Sequence, residues 1–332
     1  VRAFISMRTN TYTDMKNKLI ITLSLGLLPL FGCSDNNVVE IEKAELPTHL
    51  KGQLLYHTYS NYGANDSEIF LYDFSSNKVQ SLSSGWDIKN PMNAHISPDG
   101  TRIVFMGISE DTDSWDIFVY ELNSSKPPEN LTLIGQTRDE DPKFAPDGKR
   151  VVFKQDSRIV EMDLTSRKIT RLSPKGYGIP YYNHDGTKVV CTQGDAATSS
   201  IAIIDVKSKE IQQTVYDAEG VQDYYPINAD QTSFYYSVGL SKTNTVDQVY
   251  RGYWSGLRSY KLPFNANDGN YSDAYPMDEN WLVLCSTRPD TKGGYDLYVA
   301  NVNTGDIYSM DLYNTGINSS KQQLGPCYFT KK

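Results

Sequence analysis

Acidic side chains recur at one register of this 332-residue sequence. Asp139, Asp141, Asp223 and Asp273 each stand at, or just before, the start of a short apolar run. Carboxylates gathered around one opening would offer oxygens to a hard cation such as Ca²⁺, or an acid and a base to a glycosidic bond. Aromatic residues crowd the same entries: Trp86, Tyr182 and Tyr224, accompanied by Tyr177, Tyr181, Tyr225, Tyr271 and Tyr275. A ring beside acids and amides suits the apolar face and polar rim of a sugar. Arg138 and Arg288 add forked donors for a carboxylate, and Asp113 lies in a polar loop between two apolar runs. The candidate ligand-binding residues are therefore Trp86, Asp113, Arg138, Asp139, Asp141, Tyr182, Asp223, Tyr224, Asp273 and Arg288. Each type also has a structural use, the rings in packing, the acids at strand starts and the arginines in salt bridges.

Catalytic constellations are not apparent. The four histidines, His49, His57, His95 and His184, are not spaced as metal pairs. His95 falls on a strand that could face a channel, although a hydrogen-bonded structural role suits it as well. No G-x-S-x-G elbow and no EF-hand spacing occurs. The expectation is no catalytic residue, no dedicated metal site and no cofactor, with Ca²⁺ the one ion the acids would serve. Cys191 and Cys285 occupy matching positions in two non-neighbouring repeats, too far apart for a disulfide, and read with Cys327 as small buried core residues. A net charge of −8 disfavours nucleic acid, since phosphate binding needs clustered Lys and Arg.

The elements that must position these residues come from a repeat. Ala94–Leu122, AHISPDGTRIVFMGISEDTDSWDIFVYEL, reads as two strands around a Ser97-Pro98-Asp99-Gly100 turn, a polar loop and a third strand. Versions follow at DPKFAPDGKRVVF, IPYYNHDGTKVVC, YYPINADQTSFYY and DAYPMDENWLVLC. The turn aspartates Asp99, Asp147, Asp185, Asp230 and Asp278 keep the period of one four-stranded propeller blade. Pro presets the second turn residue, Asp bonds back locally and Gly takes the left-handed conformation. Strands such as Ile117–Leu122 are apolar on both faces, as strands held between two blades must be.

The first repeat begins at its second strand, with no inner strand ahead of QLLYHTY, whereas Leu324–Phe329 is an inner strand without a blade. The expected fold is all-β: a six-bladed β-propeller over 53–332 with four-stranded blades, closed by the C-terminal strand pairing into the first blade. Turns joining the first to the second and the third to the fourth strand of each blade are tight. The other connections are longer, and in a propeller they emerge together on the opposite face, where recognition usually resides.

Ahead of the propeller, Lys16 and Lys18 precede an apolar run, Leu19–Phe31, that is too short to span a bilayer but fits a signal-peptide core. Leu30-Phe31-Gly32-Cys33 resembles the lipobox of bacterial lipoproteins. That resemblance implies a removed segment, 1–32, whose first residues to Asp14 are an over-extended start, a lipidated Cys33 and a tether over 33–52. It also implies an outer-membrane lipoprotein of the bacterial cell envelope, facing periplasm or surface, held at the membrane by its lipid alone.

The SPDG or APDG turn with its flanking apolar strands is similar to the TolB-type, WD-repeat-like propeller family across about residues 53–330. The family's α/β domain has no counterpart here ahead of the propeller. Oligogalacturonate lyases resemble this fold too, but the histidine cluster that holds their metal is not matched. Together these readings imply a monomeric, non-catalytic module binding an envelope protein or glycan through its long-loop face. The alternative is a polysaccharide-degrading enzyme, lyase or hydrolase, using carboxylates at the channel mouth.

Overall fold

The computed structural model describes residues 44–111, 113–133, 137–194, 200–214, 227–228, 233–239, 246–255 and 259–331. Six antiparallel four-stranded sheets follow one another along the chain. β1 (Gln53–Tyr59), β2 (Glu68–Asp73) and β3 (Lys78–Ser81) belong to the first blade. The second consists of β4 (Ile88–Ile96), β5 (Arg102–Ser109), β6 (Trp115–Glu121) and β7 (Glu129–Asn130). The third contains β8 (Asp139–Phe144), β9 (Arg150–Gln155), β10 (Arg158–Asp163) and β11 (Ile169–Arg171). In the fourth are β12 (Tyr177–Tyr182), β13 (Lys188–Gln193), β14 (Ser200–Asp205) and β15 (Ile211–Thr214). The fifth has β16 (Ile227–Asn228), β17 (Ser233–Gly239), β18 (Asp247–Tyr253) and β19 (Ser259–Lys261). The sixth has β20 (Tyr271–Pro276), β21 (Trp281–Ser286), β22 (Asp296–Asn301) and β23 (Ile307–Ser309). After a 3₁₀ turn at Met310–Leu312, β24 (Gln322–Phe329) pairs antiparallel with β1 as the inner strand of the first blade. The six-bladed ring and its closure by the C-terminal strand are as the repeats predict.

The core is six sandwiches, one between each pair of neighbouring blades, and the two-faced apolar strands make them possible. Within β9, Val151 and Phe153 pack toward the second blade with Met106 and Ile117, while Val152 packs toward the fourth with Val189 and Cys191. In β21, Val283 and Cys285 face the first blade and Leu282 and Leu284 face the fifth. Register corrects one expectation: Val189 pairs with Tyr182 as Leu282 pairs with Pro276, so Cys191 matches Leu284, and Cys285 matches Thr192. An offset of one residue turns a side chain to the opposite face. The two cysteines therefore face opposite sides of their blades; both are buried and unbridged.

Turn chemistry is as the sequence implies. In the second blade Gly100 N–H donates to Ser97 O (2.8 Å), and Asp99 accepts from Ser97 Oγ, Thr101 N and Thr101 Oγ1. The Ser97 hydroxyl and the Thr101 donors hold the Asp99 carboxyl down at about 2. Arg102, just after this turn, donates to Gly148 O in the next blade's turn (2.8 Å), tying neighbours together on this face. In the sixth blade, without the glycine, Asp278 Oδ1 still accepts from Asn280 N and Trp281 N. The fifth-blade turn at Asp230 lies outside the described residues.

Of the segment expected to be a tether, the described part is packed on the propeller. Ala44 N–H donates to Asp306 (2.6 Å), Tyr308 and Tyr313 donate to the carbonyls of Ala44 and Pro47, and Leu50 is buried beside the first and sixth blades. Tyr328 of β24 donates to Lys51 O, so this lead-in and the closing strand brace each other.

Candidate functional site

The inner strands β4, β8, β12, β20 and β24 wall a cavity of about 180 Å³ at the centre of the ring. What aims their side chains inward is a repeated bulge. Pairing slips between Met92 and His95, Glu140 and Lys143, Gly178 and Tyr181, and Ser272 and Tyr275, and the β1–β24 pair slips between Leu55 and His57. At each slip one residue takes left-handed backbone: Asn93 (φ 53°), Asp141 (57°), Ile179 (49°), Asp273 (51°) and Gly325 (58°). Bulges bend a strand and redirect a side chain. Asn, Asp and Gly accept this conformation readily, whereas the β-branched Ile179 is held there at a cost of about 1–3 kcal/mol.

Polar contacts link these positions around the ring. Asn93 Nδ2 donates to Asp141 Oδ1 (2.8 Å), and Asn93 N–H points to His57 Nδ1 (3.4 Å). Asp273 Oδ2 accepts from Gly325 N–H (3.3 Å) and lies 3.9 Å from Cys285 Sγ. Phe144 N–H donates to His95 Nδ1 (3.1 Å), which places the ring proton on Nε2, facing Tyr181 OH at 3.0 Å. Tyr181 in turn meets Tyr275 edge-on, with ring centroids 6.3 Å apart.

Enclosure sets the electrostatics. Burial, reinforced by Lys143, pushes His57 down to about 3 and His95 well below the usual imidazole range, so both are neutral acceptors. Burial raises Asp273, although Gly325 N–H and Lys143 pull it back. It lowers Lys143, against the attraction of Asp141. The Tyr181 and Tyr275 hydroxyls are pushed up by burial, beyond any role as phenolates. Among the described residues no three His, Cys, Asp or Glu side chains converge as a metal site. Lys143 lines the same cavity as Asp141 and Asp273.

A second cluster lies at the long-loop face. Tyr62, 55 % exposed in the β1–β2 loop, stacks on Trp115 at 6.3 Å and 24°. The Arg138 guanidinium lies 5.7 Å from the same indole and is held by Glu140 at 2.7 Å. Tyr59 stands edge-on to Tyr62 and stacks on His57, the ring whose Nδ1 faces Asn93 N–H behind the cavity wall.

Of the ten residues singled out in the sequence, Asp141 and Asp273 meet in the cavity and Arg138 joins the platform. Asp139, two residues from Asp141, is instead enclosed and hydrogen-bonded by Thr137 and Gln155. Trp86 packs on Phe105 and Tyr120 between the first two blades. Tyr182 differs most from the expectation: it ends β12 next to the tight turn, on the opposite face, and donates to Glu161 (2.6 Å) beneath Arg150. Arg288 pairs with Asp290 and lies against Tyr298. Asp113 holds a left-handed turn in the β5–β6 loop. Asp223 and Tyr224 fall outside the described residues, as does Cys33. Sequence reasoning passed over Lys143, Asn93, Tyr62 and Trp115. Aligning N-A-H-I, D-P-K-F, I-P-Y-Y, D-A-Y-P and G-P-C-Y on their shared register would have marked Asn93 and Lys143 as wall residues.

No protein-family profile matches the chain. Over 220 residues it is 24 % identical to the uncharacterized peptidase YuxL of Bacillus subtilis (strain 168), a stretch covering 61 % of this chain and 31 % of that protein. The chain thus spans under a third of that relative. Among solved structures it resembles TolB from Acinetobacter baumannii (TM-score 0.53, 13 % identity, 78 % of this chain and 69 % of that one). It also resembles putative TolB from Agrobacterium tumefaciens (0.57, 13 %, 78 % and 88 %) and Kuenenia stuttgartiensis hydrazine synthase (0.64, 11 %, 84 % and 47 %). Likeness at such identities establishes the fold alone: this chain is a TolB-like six-bladed β-propeller.

Proposed function

We propose that the chain is a non-catalytic binding module of the bacterial cell envelope, anchored through a lipidated Cys33, that engages a partner protein or glycan across its long-loop face. The observation that carries this reading is the platform of Tyr62 on Trp115, flanked by Arg138. An exposed ring backed by an indole and edged by a cation offers an apolar face with polar donors at its rim, which suits sugars and protein hot spots alike. The expected result with the full chain and a panel of envelope glycans and proteins is saturable binding without products. Tyr62→Ala should weaken it about 3–10-fold, the worth of one stacked ring.

A polysaccharide-degrading role is the second reading, favoured by two carboxyls in one cavity, Asp273, which burial raises, and the hydrogen-bonded Asp141. Enzymes that cleave glycosidic bonds use a pair of acids flanking the scissile bond. Chromatography of the same mixtures decides between the two. Shortened products that vanish with Asp273→Asn would replace the binding reading with this one.

A further inference from the structure

We infer that the central cavity binds a small zwitterion carrying an ammonium and a carboxylate on neighbouring atoms, namely an α-amino acid or the amino-acid end of a peptide side chain. This goes beyond the loop-face reading and does not depend on it.

Three titratable groups, Lys143, Asp141 and Asp273, line the cavity, near enough to act on one another but without a direct ion pair among the described residues. Lys143 is surrounded by protein and keeps its accessible surface through the cavity it lines. Among the described residues its ammonium makes no hydrogen bond and no ion pair. Asp141 and Asp273 reach the same space from the third and sixth blades. Each has one carboxylate oxygen secured from the wall, Asp141 by Asn93 and Asp273 by Gly325 N–H. The second oxygen of each accepts nothing among the described residues.

A ligand seated here meets groups of both signs and displaces the solvent around them, so it is best matched when it offers each its opposite charge. A simple anion on Lys143 would face two carboxylates. A simple cation between the carboxylates would leave Lys143 unpaired. A zwitterion places its carboxylate on Lys143 and its ammonium on the open oxygens of Asp141 and Asp273, with the rings of Tyr181 and Tyr275 beside it. The cavity, of about 180 Å³, has room for an occupant of amino-acid size. Left-handed backbone at Asp141 and Asp273 turns both acids from their strand direction into this space, so the geometry exists before any ligand arrives.

Calorimetric titration of the full chain with the common α-amino acids tests this. For each one that binds, its decarboxylated amine and deaminated acid are titrated beside it. A peptide bearing a 2,6-diaminoheptanedioic acid residue, whose side chain ends in the same ammonium–carboxylate pair, tests the chain-borne source. The expected result is saturable binding of at least one amino acid or of that peptide, with the matched amine and acid weaker by about tenfold or more. Lys143→Met should remove the advantage of the amino acid over its amine while leaving a cooperative melt. Absence of saturable heat from every amino acid and the peptide would overturn the inference, as would an amine or acid that binds as tightly as its parent. The ligand series decides the matter even where the lysine variant does not fold, and glycan binding through Tyr62 stands or falls separately.

Discussion

Asp139 and Asp141 show how far identity and spacing reach for a single residue. Period-two alternation puts side chains two apart on one side of a strand. The left-handed backbone at Asp141 breaks that alternation, so one acid enters the cavity and the other is enclosed in the blade. Enclosure gives Asp139 a distinctive titration. Burial raises its carboxyl to about 6, against the donors Gln155 and Thr137. With a folded value above the unfolded value of roughly 3.9, the folded state holds the extra proton between the two. The contribution of Asp139 to stability is therefore fullest below about pH 4, declines as pH rises to about 6 and is flat above. Urea unfolding of the native chain and Asp139→Asn across pH 4–7 should show the native chain losing about 2–3 kcal/mol relative to the variant over that interval. A constant difference would mean that the carboxyl titrates as it does in the unfolded chain. Tyr182 makes the complementary point: its ring and neighbours suggested a binding face, but its place at the end of β12 commits it to Glu161 and Arg150.

At the scale of the element, the hairpins were legible and the inner-strand bulges were not. Turn residues carry their own local chemistry. The same holds for the tight third-to-fourth-strand turns, where Asp73, Asp163, Asp205 and Asn301 accept backbone N–H groups two or three residues on. A bulge has no comparable residue signature, since Asn93, Asp141, Ile179, Asp273 and Gly325 fill the same place. What they share is the demand of strands converging on an axis. Gly325 fills this place without a side chain: a Cβ there would come 2.8 Å from His57 Nδ1 and 3.3 Å from Asn93 Oδ1, at a φ of +58°. Gly325→Ala should therefore destabilise the protein by about 1–3 kcal/mol, read as a lowered midpoint in thermal or urea unfolding. An unchanged midpoint would show that the closing strand relaxes around the methyl group and that its bulge is not fixed by its neighbours.

For the whole molecule, closure is the decisive feature. β24 supplies the hydrogen-bonding partner of β1, and Tyr328 and Cys327 enter the two interblade cores on either side of the first blade. Removing it exposes the edge of β1 and opens both cores, and an unpaired edge with apolar flanks invites association. Deletion of residues 322–332 should abolish the cooperative melt or yield oligomers by light scattering. A monomer of unchanged melting temperature would show that the ring does not depend on this strand. The same closure holds the cavity walls in place, because Gly325, Pro326 and Cys327 are part of them.

The sequence by itself determined the blade count, the hairpin turns, the two-faced strands and the origin of the closing strand. All of these follow from short-range periodicity and local turn chemistry, which neighbouring residues encode. Tertiary structure alone decided which acids share a cavity, that Lys143 stands unpaired among them, and that Tyr62, Trp115 and Arg138 form one surface. Those groupings bring residues from different blades together, and their orientation depends on bulges created by the convergence of strands on a common axis.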